Sequence, residues 1–339
     1  MTNRTGKKSQ RPFLYRSLAS YFREVFGRTL RKVSIDPGFG CPNRDGTIGE
    51  GGCAFCNMES FVPNLARGEI DPVEQIRYAR EGKEGEPFIA YLQAGTGTYT
   101  TPDRFRELVD SICSIAGVAG LFVGTRPDCV DGEILDVLWP WLYRKLMWLE
   151  MGLQSANDAT LDRIGRGHDV ECFTRARKLA WERGIPVLAH VILGLPGEGL
   201  EEMMGTASYL AEQKIEGVKI HHLQVIRGTA MEEMLRAGEV APLTMDSYPG
   251  LVAGFLERLP PFTVIHRLAA DALGDLLIAP QWPDRGKVIE AIRRHMLEES
   301  KWQGRLYMEE RREGESGREG EWEKTQDTET RGHGGRLSF

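Results

Sequence analysis

Short apolar runs alternate with amphipathic stretches along most of this chain. Runs of this length between helical patterns are typical of strands buried on both faces of a parallel sheet. Six are predicted as strands, at residues 33–36, 88–92, 121–124, 146–153, 187–193 and 218–225. Segments with helical periodicity separate them, and one of these opens with Asp71 as a capping residue and Pro72 in the first turn.

The alternation of strands and helices predicts the fold class. Strands joined through helices run parallel and are connected by right-handed crossovers, so the chain is expected to form an α/β sheet. Six strand–helix units are too few to close an eight-stranded barrel. We therefore expect a partial (β/α)6 barrel with helical N- and C-terminal extensions.

Changes in composition divide the chain into four predicted parts. These are a basic N-terminal arm and helix (1–32), a core (33–228), a C-terminal helical extension (229–302) and a charged tail (303–339). The tail has few apolar side chains and is predicted to be disordered, because it cannot bury enough surface to offset the entropy of ordering.

Composition also bears on the environment of the protein. The 339 residues carry a net charge of −6 and contain no apolar run long enough to cross a membrane. The polar, basic start has no apolar secretory segment, so we expect a soluble, cytoplasmic protein without a membrane partner. Cys113, Cys129 and Cys172 lie in apolar or helical patterns and are expected to be free thiols rather than members of disulfides.

The basic N-terminal segment has two interpretations. Its positive side chains, such as Lys7, Lys8 and Arg11, could follow a phosphate backbone, because each neutralised phosphate releases a counterion. Alternatively, a solvated tail precedes an amphipathic helix that packs on the barrel through its apolar side chains. The pattern alone leaves both possibilities open.

A loop after the first predicted strand contains three cysteines. Cys53 and Cys56 have the spacing that lets two thiolates reach one metal centre, and Cys41 approaches across a glycine-containing loop. No fourth cysteine or histidine lies nearby in the sequence. A structural zinc site normally closes with four protein ligands, whereas three thiolates on a four-iron cluster leave one iron open. A structural zinc or iron–sulfur site remains the alternative.

The residues of this loop resemble a known signature. The run Cys-Pro-Asn-Arg-Asp-Gly beginning at Cys41, followed by Gly-Gly-Cys-Ala-Phe-Cys ending at Cys56, resembles the cluster loop of the YhcC/YtqA-like radical S-adenosylmethionine (SAM) family. That family is related to the catalytic domain of elongator subunit three. The eleven residues between Cys41 and Cys53 replace the three found in most of the superfamily. The similarity extends from about residue 15 to about residue 292.

The resemblance implies a chemistry and its cofactors. Cys41, Cys53 and Cys56 would ligate a [4Fe-4S] cluster, and the unligated iron would bind SAM. An electron supplied by a reductant such as flavodoxin or ferredoxin would cleave SAM to methionine and a 5'-deoxyadenosyl radical that abstracts hydrogen. A non-catalytic iron–sulfur protein is the alternative from a different functional class.

The resemblance also implies SAM contacts at the carboxyl ends of the strands, where the loops of parallel α/β folds converge. They are Phe55 beside the last cysteine, Gly95 and Thr96 at the methionine amino group, Gln154 and His190 at the ribose, and Arg166 at the carboxylate. Plainer roles remain open: a tight turn at residues 95–96, a salt bridge from Arg166 to Asp162 or Asp169, and a core position for His190.

Further polar residues follow strands at the same predicted mouth and are candidate substrate contacts. They are Asn43, Arg44, Asp45, Arg126, His221 and His222. The two adjacent histidines could instead hold a second metal, although no cysteine or carboxylate lies near them in the sequence.

The substrate class rests on the basic arm and on the likeness to the elongator subunit. Both favour tRNA, with a wobble uridine as the target, because an anticodon base is already unstacked and can reach a catalytic mouth. The sequence contains no recognisable RNA-binding module. A small-molecule metabolite is therefore the alternative substrate.

Overall fold

A computed structural model describes residues 13–57, 71–83, 85–270 and 274–309 of the chain. Its centre is a seven-stranded, all-parallel sheet whose strand order follows the chain. The strands are β1 Arg31–Ile35, β2 Phe88–Leu92, β3 Val118–Thr125, β4 Leu146–Gln154, β5 Val187–Leu193, β6 Gly217–His222 and, after an intervening ribbon strand, β8 Val264–Arg267. A separate antiparallel ribbon pairs β7 Val225–Ile226 with β9 Leu277–Ala279.

Helices follow most strands and cover the outer face of the sheet. They are α1 Leu18–Phe26, α2 Pro72–Arg80, α3 Pro102–Cys113, α4 Gly132–Leu138, α5 Asp158–Arg163, α6 Val170–Glu182, α7 Leu200–Glu212, α8 Ala230–Arg236, α9 Tyr248–Arg258 and α10 Arg285–Glu298. The predicted cap at α2 is confirmed, because the Asp71 carboxylate accepts hydrogen bonds from the Val73 and Glu74 amides.

The predicted fold class is confirmed, with one strand more than expected. β8 comes from the stretch predicted as a helical extension, and it pairs in parallel with β6 through the register of Val218 with Ile265. Its short run of buried apolar residues is too brief for periodicity to separate strand from helix. The predicted sixth strand is also too long: β6 ends at His222, and Val225 belongs to the antiparallel ribbon.

The interior of the curled sheet is apolar at the amino ends of its strands. Phe22 of α1 packs there against Phe122 and Trp148, with Tyr21 and Phe26 alongside. The apolar face of the N-terminal helix therefore closes this end of the sheet. Lys7, Lys8 and Arg11 lie outside the described residues.

The charged tail begins later than predicted. Gln303 is only 2% exposed, and its amide donates hydrogen bonds to the carbonyls of Pro260 and Thr263 while accepting one from the Arg16 amide. These bonds tie the segment that precedes Glu309 to the body of the protein. Residues 310–339 lie outside the described residues. None of the helices that the structure describes combines the length and the apolar character needed to cross a lipid bilayer.

Candidate functional site

A cavity of about 240 Å³ opens at the carboxyl ends of the strands, beneath the cysteine loop. All three thiols predicted as cluster ligands line it, at Cys41, Cys53 and Cys56. The predicted SAM contacts line it as well; they are Phe55, Gly95, Thr96, Gln154, Arg166 and His190. Residues from six different segments, hundreds of positions apart in part, therefore share one site.

The cysteine loop is held by hydrogen bonds to the loop after α5. The Asn43 amide donates to the Gly165 carbonyl at 2.7 Å and to the Cys53 Sγ at 3.4 Å, and the Ala54 amide donates to the Ile164 carbonyl at 2.8 Å. Asn43 is buried and does not line the cavity. Its prediction as a substrate contact is therefore wrong, because both hydrogen bonds of its amide nitrogen stay within the loop structure.

Two arginines surround the Cys53 thiol. The Arg166 Nη1 lies 3.4 Å and the Arg126 Nη1 3.9 Å from its sulfur. Burial alone would raise the pKa of Cys53, but the positive charges of Arg166 and Arg126 and the Asn43 hydrogen bond outweigh it and lower that pKa. Burial and the neighbouring Cys53 raise the pKa of Cys56 to about 11. The site therefore favours one thiolate before any cofactor binds.

The donor set fits a multi-iron cluster. Within the described part of the chain the three thiols are free of disulfides, and no three His, Cys, Asp or Glu side chains are gathered around a single ion position. A four-iron cluster presents separate irons to separate thiolates, so its ligands can be spread over a cavity wall. Three cysteines around one cavity, next to two guanidinium groups, suit an anionic cluster with one open iron.

Arg166 is placed to meet an anion. Its side chain is buried, its Nη2 donates to the Gly152 carbonyl at 2.7 Å, and its Nε has no hydrogen-bond partner. Among the described residues no carboxylate lies within salt-bridge distance of it, so neither Asp162 nor Asp169 neutralises it. Arg126, in contrast, is paired with Asp128 at 2.6 Å and donates to the Arg166 carbonyl.

The loop after β2 lies directly against the cysteine loop. Gly95 has a φ of 62°, and a Cβ there would collide with the Phe39 carbonyl oxygen. The Thr96 amide donates to the Gly40 carbonyl at 3.0 Å. The tight turn at residues 95–96 and its position on the cavity wall are thus the same feature. Gln154 also has a left-handed φ of 74°, at the point where the β4–β5 register shifts.

The sequence analysis missed a charged layer inside the sheet, beneath the cavity. The Glu150 carboxylate accepts hydrogen bonds from the Lys32 Nζ at 2.7 Å, the Lys219 Nζ at 3.1 Å and the His190 Nε2 at 3.0 Å. The Lys219 Nζ also donates to the Tyr91 hydroxyl at 3.0 Å. We call these five residues the Glu150 network. A lone charged residue within an otherwise apolar strand was the available signal.

Burial sets the protonation of the Glu150 network. Burial would raise the pKa of Glu150, but Lys219, Lys32 and His190 hold it well below its ordinary value. Burial and the Lys219 charge lower the pKa of His190 to about 4, so its imidazole is neutral near neutral pH. His190 is therefore both a cavity residue and a hydrogen-bonded member of the sheet interior.

The remaining predicted substrate contacts divide between cavity and surface. Arg44, Arg126 and His221 line the cavity. His222 does not: as the next residue on β6 it faces the opposite way and stacks on Trp282, with ring centroids 4.0 Å apart. The two histidines cannot share a metal, and His222 was wrongly assigned. Asp45 is exposed outside the cavity and accepts a hydrogen bond from the Thr47 amide.

Comparisons with known proteins extend these observations. A family model described as the Radical SAM superfamily matches residues 35–210, and one described as the Radical SAM C-terminal domain matches residues 215–298. Protein YhcC of Escherichia coli K12 is 38% identical over 258 residues, covering 76% of this chain and 84% of that protein. Protein YtqA of Bacillus subtilis is 35% identical over 299 residues, covering 86% and 92%.

A solved structure shows the same fold at low sequence identity. The Elp3 of the archaeon Methanocaldococcus infernus superposes with a TM-score of 0.61 at 17% identity, covering 81% of this chain and 64% of that one. The similarity extends through most of the sheet and its helices.

Proposed function

Because the chain belongs to the radical SAM superfamily and is an enzyme of that class, we propose that it uses a [4Fe-4S] cluster and SAM to modify the side chain of a wobble uridine in tRNA. The observation that carries the cofactor part is the convergence of three thiols and an arginine without a carboxylate partner on one cavity. The tRNA part is supported by the likeness to Elp3 and by the basic N-terminal sequence.

In this proposal the chain positions its cofactors with named groups. Cys41, Cys53 and Cys56 hold the cluster, which when bound supplies the electron that cleaves SAM to a 5'-deoxyadenosyl radical. Arg166 binds the SAM carboxylate, because its guanidinium presents several donors to one anion. The backbone at residues 95–96 meets the amino group.

The other cavity residues complete the proposed SAM site. Gln154 and His190 lie on neighbouring strands and would meet the ribose, and Phe55 covers the cofactor beside the last cysteine. A flavodoxin- or ferredoxin-type reductant would supply electrons in the cytoplasm.

The radical chemistry is tested by anaerobic reconstitution with iron and sulfide, followed by dithionite and SAM. We expect 5'-deoxyadenosine by liquid chromatography and mass spectrometry, and none from a Cys53→Ser variant. Cys113→Ser is the matched control, because Cys113 is buried in α3 away from the cavity. A reconstituted protein that binds a cluster but forms no 5'-deoxyadenosine would contradict the proposal in favour of a binding protein.

The Arg166 assignment has its own measurement. Arg166→Ala should weaken SAM binding at least about tenfold in calorimetry, since it removes a charge-assisted contact. Arg163→Ala, on the exposed end of α5, serves as control. Equal SAM affinity in the Arg166 variant and the wild type would show that this guanidinium does not bind the cofactor.

The tRNA assignment is tested in cells. Nucleosides from the tRNA of a strain lacking this gene are compared by mass spectrometry with those of the parent strain. We expect one modified wobble uridine to disappear and its precursor to accumulate, with recovery by the wild-type gene and none by the Cys53→Ser form. An unchanged nucleoside profile would reject tRNA as the substrate.

A further inference from the structure

A second cavity, of about 400 Å³, lies where the curled sheet is open at its side. It is bounded by β1 and β8, the two edge strands of the sheet, and by α1 and α10. Lys32, Lys219, Arg267 and Arg285 line it, and no Asp or Glu does. Four lining residues also belong to the wall of the cavity beneath the cysteines; they are Tyr91, Gln93, Lys219 and Arg267. The two spaces therefore meet at Lys219.

Positive charge exceeds negative charge where the two cavities meet. The Glu150 carboxylate, whose side chain is 0% exposed, is shared by the ammonium groups of Lys32 and Lys219. The remaining partner, His190, is neutral because burial lowers its pKa. Burial, together with the like charges of Lys32 and Arg267, also lowers the pKa of Lys219 to about 8 despite Glu150. Two buried ammoniums thus depend on one carboxylate, and buried charge is costly unless it is balanced.

Both ammoniums retain hydrogen-bonding capacity. An ammonium has three donors. Among the described residues, Lys219 directs its donors to Glu150 and Tyr91, and Lys32 directs one to Glu150. An anion at the junction could accept from both lysines while Glu150 keeps its contacts. The surplus charge and the available donors point to the same ligand chemistry.

We propose that the substrate carries an anionic group, a phosphate or a carboxylate, which enters between β1 and β8 and is bound by Lys219 and Lys32 below the cysteine cavity. This inference rests on the proposed function, because it orients the rest of the substrate toward the site assigned to SAM. The SAM carboxylate has a separate location at Arg166, whose guanidinium contacts the Cys53 sulfur and the Gly152 carbonyl.

Anion binding is measured by calorimetry on the reconstituted, SAM-bound protein without reductant. The titrants are inorganic phosphate, uridine 5'-monophosphate and succinate. We expect at least one to bind, and Lys219→Met to weaken that binding about tenfold, equivalent to about 1.4 kcal/mol. Lys178→Met is the matched control, because this lysine is exposed on the outer helix α6 and should leave affinity unchanged.

A variant of opposite sign separates anion binding from a purely structural role. Glu150→Gln removes the competing negative charge and should strengthen anion binding about tenfold, whereas Lys32→Met should weaken it as Lys219→Met does. Unchanged cluster absorbance and SAM affinity confirm that each variant is folded. If Glu150→Gln does not fold, the two lysine variants and the control still decide the result.

Each outcome bears on the proposal. Tighter binding of the nucleotide than of succinate supports a nucleotide phosphate as the anionic group, and the reverse supports a carboxylic acid. No binding of any titrant, equal affinity in Lys219→Met and the wild type, or weaker binding in Glu150→Gln overturns it. Loss of 5'-deoxyadenosine formation with intact anion binding would instead contradict the proposed function, because calorimetry involves no turnover.

Discussion

Replacing Glu150 with glutamine should destabilise the fold more than any other single change in the sheet interior. Glutamine has nearly the same shape but no charge, so Lys32 and Lys219 would lose the carboxylate that each contacts within 3.1 Å. Removing one partner from a buried ion pair costs about 3–5 kcal/mol, because the charge left behind is uncompensated. Here two ammoniums are left, which places the expected loss of unfolding free energy at the upper end of that range, about 5 kcal/mol.

The reverse substitution should cost less. Lys219→Met leaves Glu150 with Lys32 and His190, so the carboxylate stays paired and hydrogen-bonded. The expected loss is about 1–3 kcal/mol, the contribution of a hydrogen bond to a charged group together with its desolvation. The ranking of the two variants follows from the unequal number of cations and anions.

The deficit of Glu150→Gln should also depend on pH. The pKa of Lys219 is already lowered to about 8, below its ordinary 10.5, and loss of Glu150 lowers it further. The folded state then binds fewer protons than the unfolded state, so stability rises with pH across that interval. The charged and titratable groups that face Lys219 are Glu150, Lys32, Arg267, His190, His221 and Tyr91. The deficit should be smaller at about pH 9 than at about pH 7.

Urea unfolding followed by circular dichroism measures these effects on the wild type and both variants. Glu171→Gln, on the exposed face of α6, controls for the chemical change and should stay within about 0.5 kcal/mol of the wild type. A Glu150→Gln protein as stable as that control, or a Lys219→Met protein that is less stable than Glu150→Gln, would refute the inference that the layer carries a surplus of positive charge.

Other predictions address the loops and the strand faces. Gly95→Ala should cost more than about 2 kcal/mol in urea unfolding, because its Cβ would enter the carbonyl of the cysteine loop, whereas Gly205→Ala, in open space within α7, should be neutral or stabilising; equal effects would contradict the close approach. Cys53→Ser should lose the absorbance of a reconstituted cluster while Cys129→Ser keeps it; loss in both would indicate a different ligand set. His222→Ala should lower stability but leave SAM affinity unchanged in calorimetry, and a large loss of affinity would return this residue to the site.

The features that local sequence encodes were predicted well. β5 has the predicted bounds, and α2 begins at the predicted cap, because apolar runs and capping residues act over a few positions. The cysteine loop was recognised for the same reason, since its ligands and glycines are close together in the chain. The convergence of Gln154 and Arg166 on the cavity also follows from a local rule, as loops after parallel strands meet at one edge.

What required the tertiary structure was the pairing of residues from distant strands and the direction of individual side chains. Lys32 and Glu150 are 118 positions apart, and neither strand by itself reveals that they meet. His221 and His222 look equivalent in sequence, but the alternation of side chains along β6 sends only one of them into the cavity. β8 joins the sheet because the edge of β6 is available to it. Sequence thus determined the elements and their order, while the curvature of the sheet determined which buried charges became neighbours, because a charged side chain inside a sheet is stable only beside its partner.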